Sequence, residues 1–201
     1  MKKKLPVIIG IILTIIIAIL YGNTNKTHRI YNNDVNTAEY QAIGVLMEGE
    51  IVTQTFVSQE DVLDGFMIKS DVLGDYANTI VKIRVLDAET GEVVSEGQEM
   101  GSSVHARSLH YYRIEPITEC RGKAFVIEVR EENTSENNGI NLFLQPNADT
   151  NLGLVVKGNP TGGVFVMKTV TERFDLETCC VMLFSEWFIW GFLWFLYRLF
   201  K

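Results

Sequence analysis

The chain lacks most of what marks an enzyme or a metal centre. Its three histidines, His28, His105 and His110, have no ligand spacing; the last two lie five apart where a loop should enter a strand, and read as surface residues. No Gly-x-Ser-x-Gly elbow occurs, and "GSSVH" at 101–105 has the wrong flanks for one. There is no P-loop, no dinucleotide-binding glycine pattern, and no Asp-x-Asp pair to hold the metal of a sugar-nucleotide transferase. Glycoside hydrolysis needs two carboxylates across a cleft, and 25 acidic residues single out no pair. The expectation is a protein without catalysis, cofactor or metal.

Cysteine is also scarce. Of three, Cys120 stands alone, and Cys179 and Cys180 are adjacent, where a mutual bond would close a strained ring. The pair reads as small apolar residues opening a helix at a membrane boundary, with pairing to another chain as the alternative. Positive charge is outnumbered, 18 basic against 25 acidic residues for a net charge of −7. That balance argues against nucleic acid or an anionic bilayer surface as partner, and leaves cations or neutral ligands.

Two long apolar runs are present. Leu5–Tyr21, "LPVIIGIILTIIIAILY", carries no charge over 17 residues and follows Lys2, Lys3 and Lys4. As a helix it reaches roughly 26 Å, close to a hydrocarbon core of about 30 Å. "AILYGN" has no small-x-small cleavage pattern, so an uncleaved signal anchor is expected over a removed signal peptide. The second run, Cys179–Phe200, is 22 residues long and is followed by Lys201, with Arg198 near its end. Of the 18 basic residues, three precede the first run and two close the second, leaving 13 in between against 24 acids. Positive flanks mark the cytoplasmic side. The expected topology is two-pass in the plasma membrane, both termini cytoplasmic, with residues 22–178 outside.

Between the runs, "GNTNKTHRIYNNDVNTAEYQ" is rich in asparagine and reads as a stalk from Gly22 to about Tyr40. From about Glu48 to Thr171 the period is two. Val81, Ile83 and Val85 alternate with Lys82 and Arg84; Phe125, Ile127 and Val129 with Glu128 and Arg130; Ile140, Leu142 and Leu144 with Asn141, Phe143 and Gln145. "DAETGEVV" signals a hairpin at Gly91, and "EIVTQTFV", "VLDGFMIKSD", "HYYRIEPI" and "GGVFVMKTV" add strands. Eight or nine such strands predict an all-β, antiparallel, jelly-roll-like β-sandwich flanked by two transmembrane helices. The expected segments are a helix over 1–21, a polar linker over 22–47, the sandwich over 48–172 and a second helix over 177–201.

The succession "QTF" (54–56), "LDGFMIK" (63–69), "IVKIRVLDAETGEVV" (80–94) and "YRIEPITECRGKAFVIEV" (112–129) is similar to a jelly-roll module of bacterial membrane proteins. That module sits outside the cell after a first transmembrane helix and looks like a carbohydrate-binding-module sandwich. The resemblance implies an envelope-associated binding domain. Some multi-pass members are linked to envelope polymer synthesis and continue through many more helices, from which this chain departs by ending after its second.

Sugars are held by aromatic stacking with amide and carboxylate hydrogen bonds. Parity turns Phe143 towards water between Asn141 and Gln145, and puts Tyr111 and Tyr112 on opposite faces so that one is exposed. Phe143, Asn141, Gln145 and Tyr112 are the candidate glycan contacts, with ordinary cross-strand packing as the competing reading. Asn147, Asp149 and Asn151 could offer oxygens to calcium, but without the glycine and final glutamate of a calcium loop they read as turn residues.

In the second run, Trp187, Trp190, Trp194 and Tyr197 recur every three to four residues and form one helical face, with Gly191 able to admit a neighbouring backbone. Glu186 lies seven residues beyond Cys179, roughly 10 Å below the outer boundary. A carboxylate there costs a few kcal/mol against lipid, so it should reach the interface, stay protonated or find a partner. The first run offers only Thr14, which points to a membrane-protein partner contacting Glu186, Trp187, Trp190, Gly191 and Trp194. The expected partners are the bilayer, an envelope glycan and such a membrane protein, with no nucleic acid.

Overall fold

The computed structural model describes residues 5–146 and 152–201. The chain divides into two compact units, one made of the two chain ends and the other of residues 27–171.

The second unit is built from strands β1 (Lys26–Arg29), β2 (Gln41–Gly44), β3 (Val52–Val57), β4 (Val62–Leu73), β5 (Ile80–Asp87) and β6 (Val93–Met100). Then follow β7 (Ser108–Thr118), β8 (Ala124–Glu132), β9 (Gly139–Pro146), β10 (Val155–Val156), β11 (Asn159–Pro160), β12 (Gly163–Phe165) and β13 (Met167–Thr171). They form two antiparallel sheets. The seven-stranded sheet runs β1-β13-β4-β9-β12, with β2 also on β9 and β7 also on β4. The six-stranded sheet runs β11-β10-β3-β8-β5-β6.

Alternation in the sequence becomes alternation in burial. On β8, Phe125, Ile127 and Val129 are buried while Val126, Glu128 and Arg130 are half-buried; on β5, Val81, Ile83 and Val85 do the same. Both sheets feed one buried cluster. Phe56 of β3 meets Phe66 of β4 edge-on at 5.4 Å and Phe125 of β8 at 5.9 Å between ring centroids. The β5–β6 hairpin turns at Gly91, whose φ of +72° suits a residue without Cβ.

The stretch expected to be a polar linker, 22–47, is partly strand. β1 and β2 fall within it, and both join the seven-stranded sheet. Composition misled here because an edge strand needs backbone pairing more than side-chain alternation. Ile30, packed on the core, donates its amide to Met167 O at 3.1 Å and draws this asparagine-rich segment in.

The first unit is two helices, α1 (Leu5–Gly22) and α2 (Leu176–Leu199). α2 opens at Asp175, whose carboxylate accepts the amides of Glu177 and Thr178. At 24 residues, about 36 Å, α2 is long and apolar enough to cross a membrane. Trp187, Phe188, Trp190 and Trp194 on it are each more than half exposed, which fits a helix solvated by lipid. Two spans were expected, and one clear span is found. α1 measures 18 residues, about 27 Å, and among the described residues its apolar stretch is Ile8–Gly22.

Candidate functional site

Parity along β9 does turn Asn141, Phe143 and Gln145 away from Ile140, Leu142 and Leu144, yet the three do not form an open row. Gln145 is fully buried: its Oε1 accepts the Asn32 amide at 2.9 Å and its Nε2 donates to the Asn32 carbonyl at 2.9 Å. Asn141 Oδ1 accepts the Gly44 amide at 2.9 Å. Both side-chain amides pin the segment that carries β1 and β2, an attachment that no local pattern announces.

Tyr112 must be corrected from ligand contact to core. It is 1% exposed, its hydroxyl lies 2.9 Å from Ser70 Oγ, and its ring meets His110 at 4.8 Å. Burial pushes its phenol well above the ordinary range. The outward ring of "HYYR" is Tyr111, which pairs with Met67, donates its hydroxyl to Asp64 O at 3.2 Å and lies 6.0 Å from the Arg113 guanidinium. Phe143 stays half-buried, with Lys69 Nζ 5.8 Å from its ring centroid. Two cations that the sequence reading passed over, Arg29 and Lys168, lie on this same sheet. Lys168, the one charge inside the apolar run "GGVFVMKTV", was the available signal.

The outward face of the six-stranded sheet carries a ladder of ion pairs. Lys82 meets Glu132 at 2.6 Å, and Arg84 meets Glu128 and Glu96 at 3.1 Å each. A depression of about 280 Å³ lies among Lys82, Arg84, Glu96, Gln98 and Arg130. Its lining contains no aromatic ring, and Lys82 and Arg84 in it are paired with Glu132, Glu128 and Glu96, as on a solvated sheet face.

Glu131 shares the core-facing parity of Phe125, Ile127 and Val129 and is 2% exposed. Its Oε2 accepts the Ile140 amide at 3.0 Å. Burial pushes its carboxyl up to about 8, against the opposing pull of the Ile140 and Leu46 amides and of Lys157. His28 Nε2 lies 2.9 Å from Glu60 Oε1, while His105 and His110 meet edge-on at 6.1 Å. Among the described residues no three His, Cys, Asp or Glu side chains gather to hold a metal. Asn147, Asp149 and Asn151 lie outside the described residues.

On α2, Trp187, Trp190 and Trp194 share a face as their spacing implied, and with Gly10, Ile11 and Thr14 of α1 they line an apolar groove of about 680 Å³. The close approach is made by Gly10, where an added Cβ would sit 3.5 Å from Trp190; Gly191 has no neighbour within 4 Å of such a Cβ. The Thr14 hydroxyl donates to Gly10 O at 3.0 Å, as helix-interior threonines do, and is not available to Glu186. Glu186 Oε2 is buried and has no hydrogen-bond partner among the described residues.

No protein-family model matches the chain, and no curated protein is significantly similar to it.

Proposed function

We propose that this protein is a membrane-anchored, non-catalytic β-sandwich module that recognises a cell-envelope glycan. Its two sheets are the layers of a jelly-roll-like sandwich, α1 and α2 form a two-pass anchor with both termini in the cytoplasm, and residues 22–178 stand outside. The observation that carries the reading is the outward face of the seven-stranded sheet, where Phe143 and Tyr111 offer partly open rings beside Lys69 and Arg113. A ring held by its strand presents a flat apolar surface to the C–H face of a sugar, and Lys69 beside the Phe143 ring supplies a hydrogen-bond donor. The test is calorimetric titration of the full chain in detergent against a panel of envelope oligosaccharides. Binding that Phe143→Ala weakens about tenfold supports the reading; a folded protein that binds none of them ends it.

A second reading is favoured by the unsatisfied Oε2 of Glu186. An accessory subunit docking a multi-pass enzyme or transporter, or the front part of such a protein, would supply the missing donor within the membrane. Glu186→Gln should then reduce recovery of the partner after gentle detergent extraction, and unchanged recovery would remove this role from Glu186.

A further inference from the structure

We infer that the glycan is an anionic one, with Arg29 and Lys168 receiving its acidic groups beside the Phe143 ring; this rests on the reading of the seven-stranded sheet as the glycan face. Lys168 pairs with Met67 across the β13–β4 ladder, so its side chain shares the outward face with Met67 and Tyr111. Lys69, two residues along β4 from Met67, bonds its amide to Val166 O at 2.9 Å and so occupies the next outward position of that face. On the other side of β13 runs β1, whose following residue Ile30 packs on the core and donates its amide to Met167 O. Alternation then turns Arg29 outward, next to Lys168. Three cations thus stand on three adjacent strands, the last of them over the ring of Phe143 at 5.8 Å.

Their surroundings are unusual for so acidic a chain. Several other cations have found carboxylates: Lys82 with Glu132, Arg84 with Glu128, Lys157 with Glu50, Lys26 with Asp175. Among the described residues none of Arg29, Lys69 or Lys168 has an ion pair, and Lys69 only reaches the Arg107 carbonyl at 3.5 Å. Asp71, an acid on the same strand, is engaged by Arg107 at 3.5 Å. Lys168 is held below its ordinary pKa by burial and then by the neighbouring Arg29 charge. Two like charges side by side, one partly desolvated, form a site that an incoming anion improves, because it cancels their repulsion and replaces lost water. A carboxylate or phosphate on a sugar whose ring lies on Phe143 meets both demands at once. A neutral sugar meets only the second.

The test uses the full chain in detergent micelles, titrated with a tetragalacturonate and with neutral chitotetraose at low and moderate salt. The expected result is at least tenfold tighter binding of the uronate, weakening as salt rises. Lys168→Gln and Arg29→Gln should each reduce uronate affinity about five- to tenfold and flatten its salt dependence. Both should leave chitotetraose binding unchanged, whereas Phe143→Ala should weaken both sugars. Melting curves of the Gln variants should match or exceed the parent's, since a repulsion is removed, and this separates lost binding from lost fold. Equal binding of the two sugars, or a Lys168→Gln protein that binds uronate as the parent does, overturns the anionic assignment while leaving the glycan reading intact. Sugar-free polyphosphate bound as tightly, and indifferent to Phe143→Ala, also overturns it. Failure of every sugar on a folded protein ends both.

Discussion

At the residue scale, Glu131 couples the fold to pH. In the unfolded chain its carboxyl titrates near the ordinary 4.5, whereas in the core burial raises it to about 8. The folded protein therefore keeps this proton over a range in which the unfolded chain has lost it. The stabilisation is complete below the ordinary carboxyl value, declines as pH rises from there, and is gone above about 8. Glu131→Gln keeps the shape and removes the titration. Thermal melts across this range should show a flatter pH dependence for the variant, with a gain of roughly 1–3 kcal/mol over the parent at pH 8 and little difference near pH 5. A parallel pair of curves would show that Glu131 is not the titrating group. Alternation carried one step further along "FVIEVREE" puts Glu131 on the face of Phe125, Ile127 and Val129. What the sequence withheld was whether the core continues as far as that position, and the packing of β9 through Ile140 supplies the answer.

At the scale of elements, the strands with strong alternation were legible and the weakly patterned ones were not. β5, β8 and β9 were read correctly because each turns one face to the core and the other away from it, which imposes period two on composition. β1 and β2 carry no such imprint: they are four-residue strands held by backbone bonds and by the side chains of Gln145 and Asn141 on another strand. Gln145 also shows why the candidate site was only partly legible. Parity gives the face a side chain takes, but not whether a segment distant in sequence covers that face. Gln145→Ala should leave the Asn32 amide and carbonyl without partners and cost roughly 2–3 kcal/mol, measured as a lower denaturation midpoint of the full chain. A midpoint within experimental error of the parent would mean that this segment is not anchored through Gln145.

At the scale of the whole molecule, α2 is the element long and apolar enough to cross a membrane. A helix of 24 residues with large apolar side chains exposed along its length is stable in lipid and a liability in water. The chain should stay in the membrane fraction through an alkaline carbonate wash and leave it only with detergent; release by carbonate alone would contradict a spanning α2. The charge of the whole chain also proved a poor guide to its faces. A net charge of −7 pointed to cations or neutral ligands, yet the strand order β1-β13-β4 collects Arg29, Lys168 and Lys69 on one side. Net charge sums over the surface, while a ligand samples only what lies within a Debye length of it.

The sequence by itself determined the antiparallel β-rich middle, the apolar helix after it and the absence of any recognisable catalytic motif. Each of these is written in local periodicity, run length or spacing. Only the tertiary structure decided that Tyr112 is core and Tyr111 outward, that Asn141 and Gln145 are fasteners, and that β1 completes a sheet. It alone brought Arg29 to Lys168 across 139 positions of chain. Those outcomes depend on which strands become neighbours, and strand pairing is a long-range choice that no local pattern encodes.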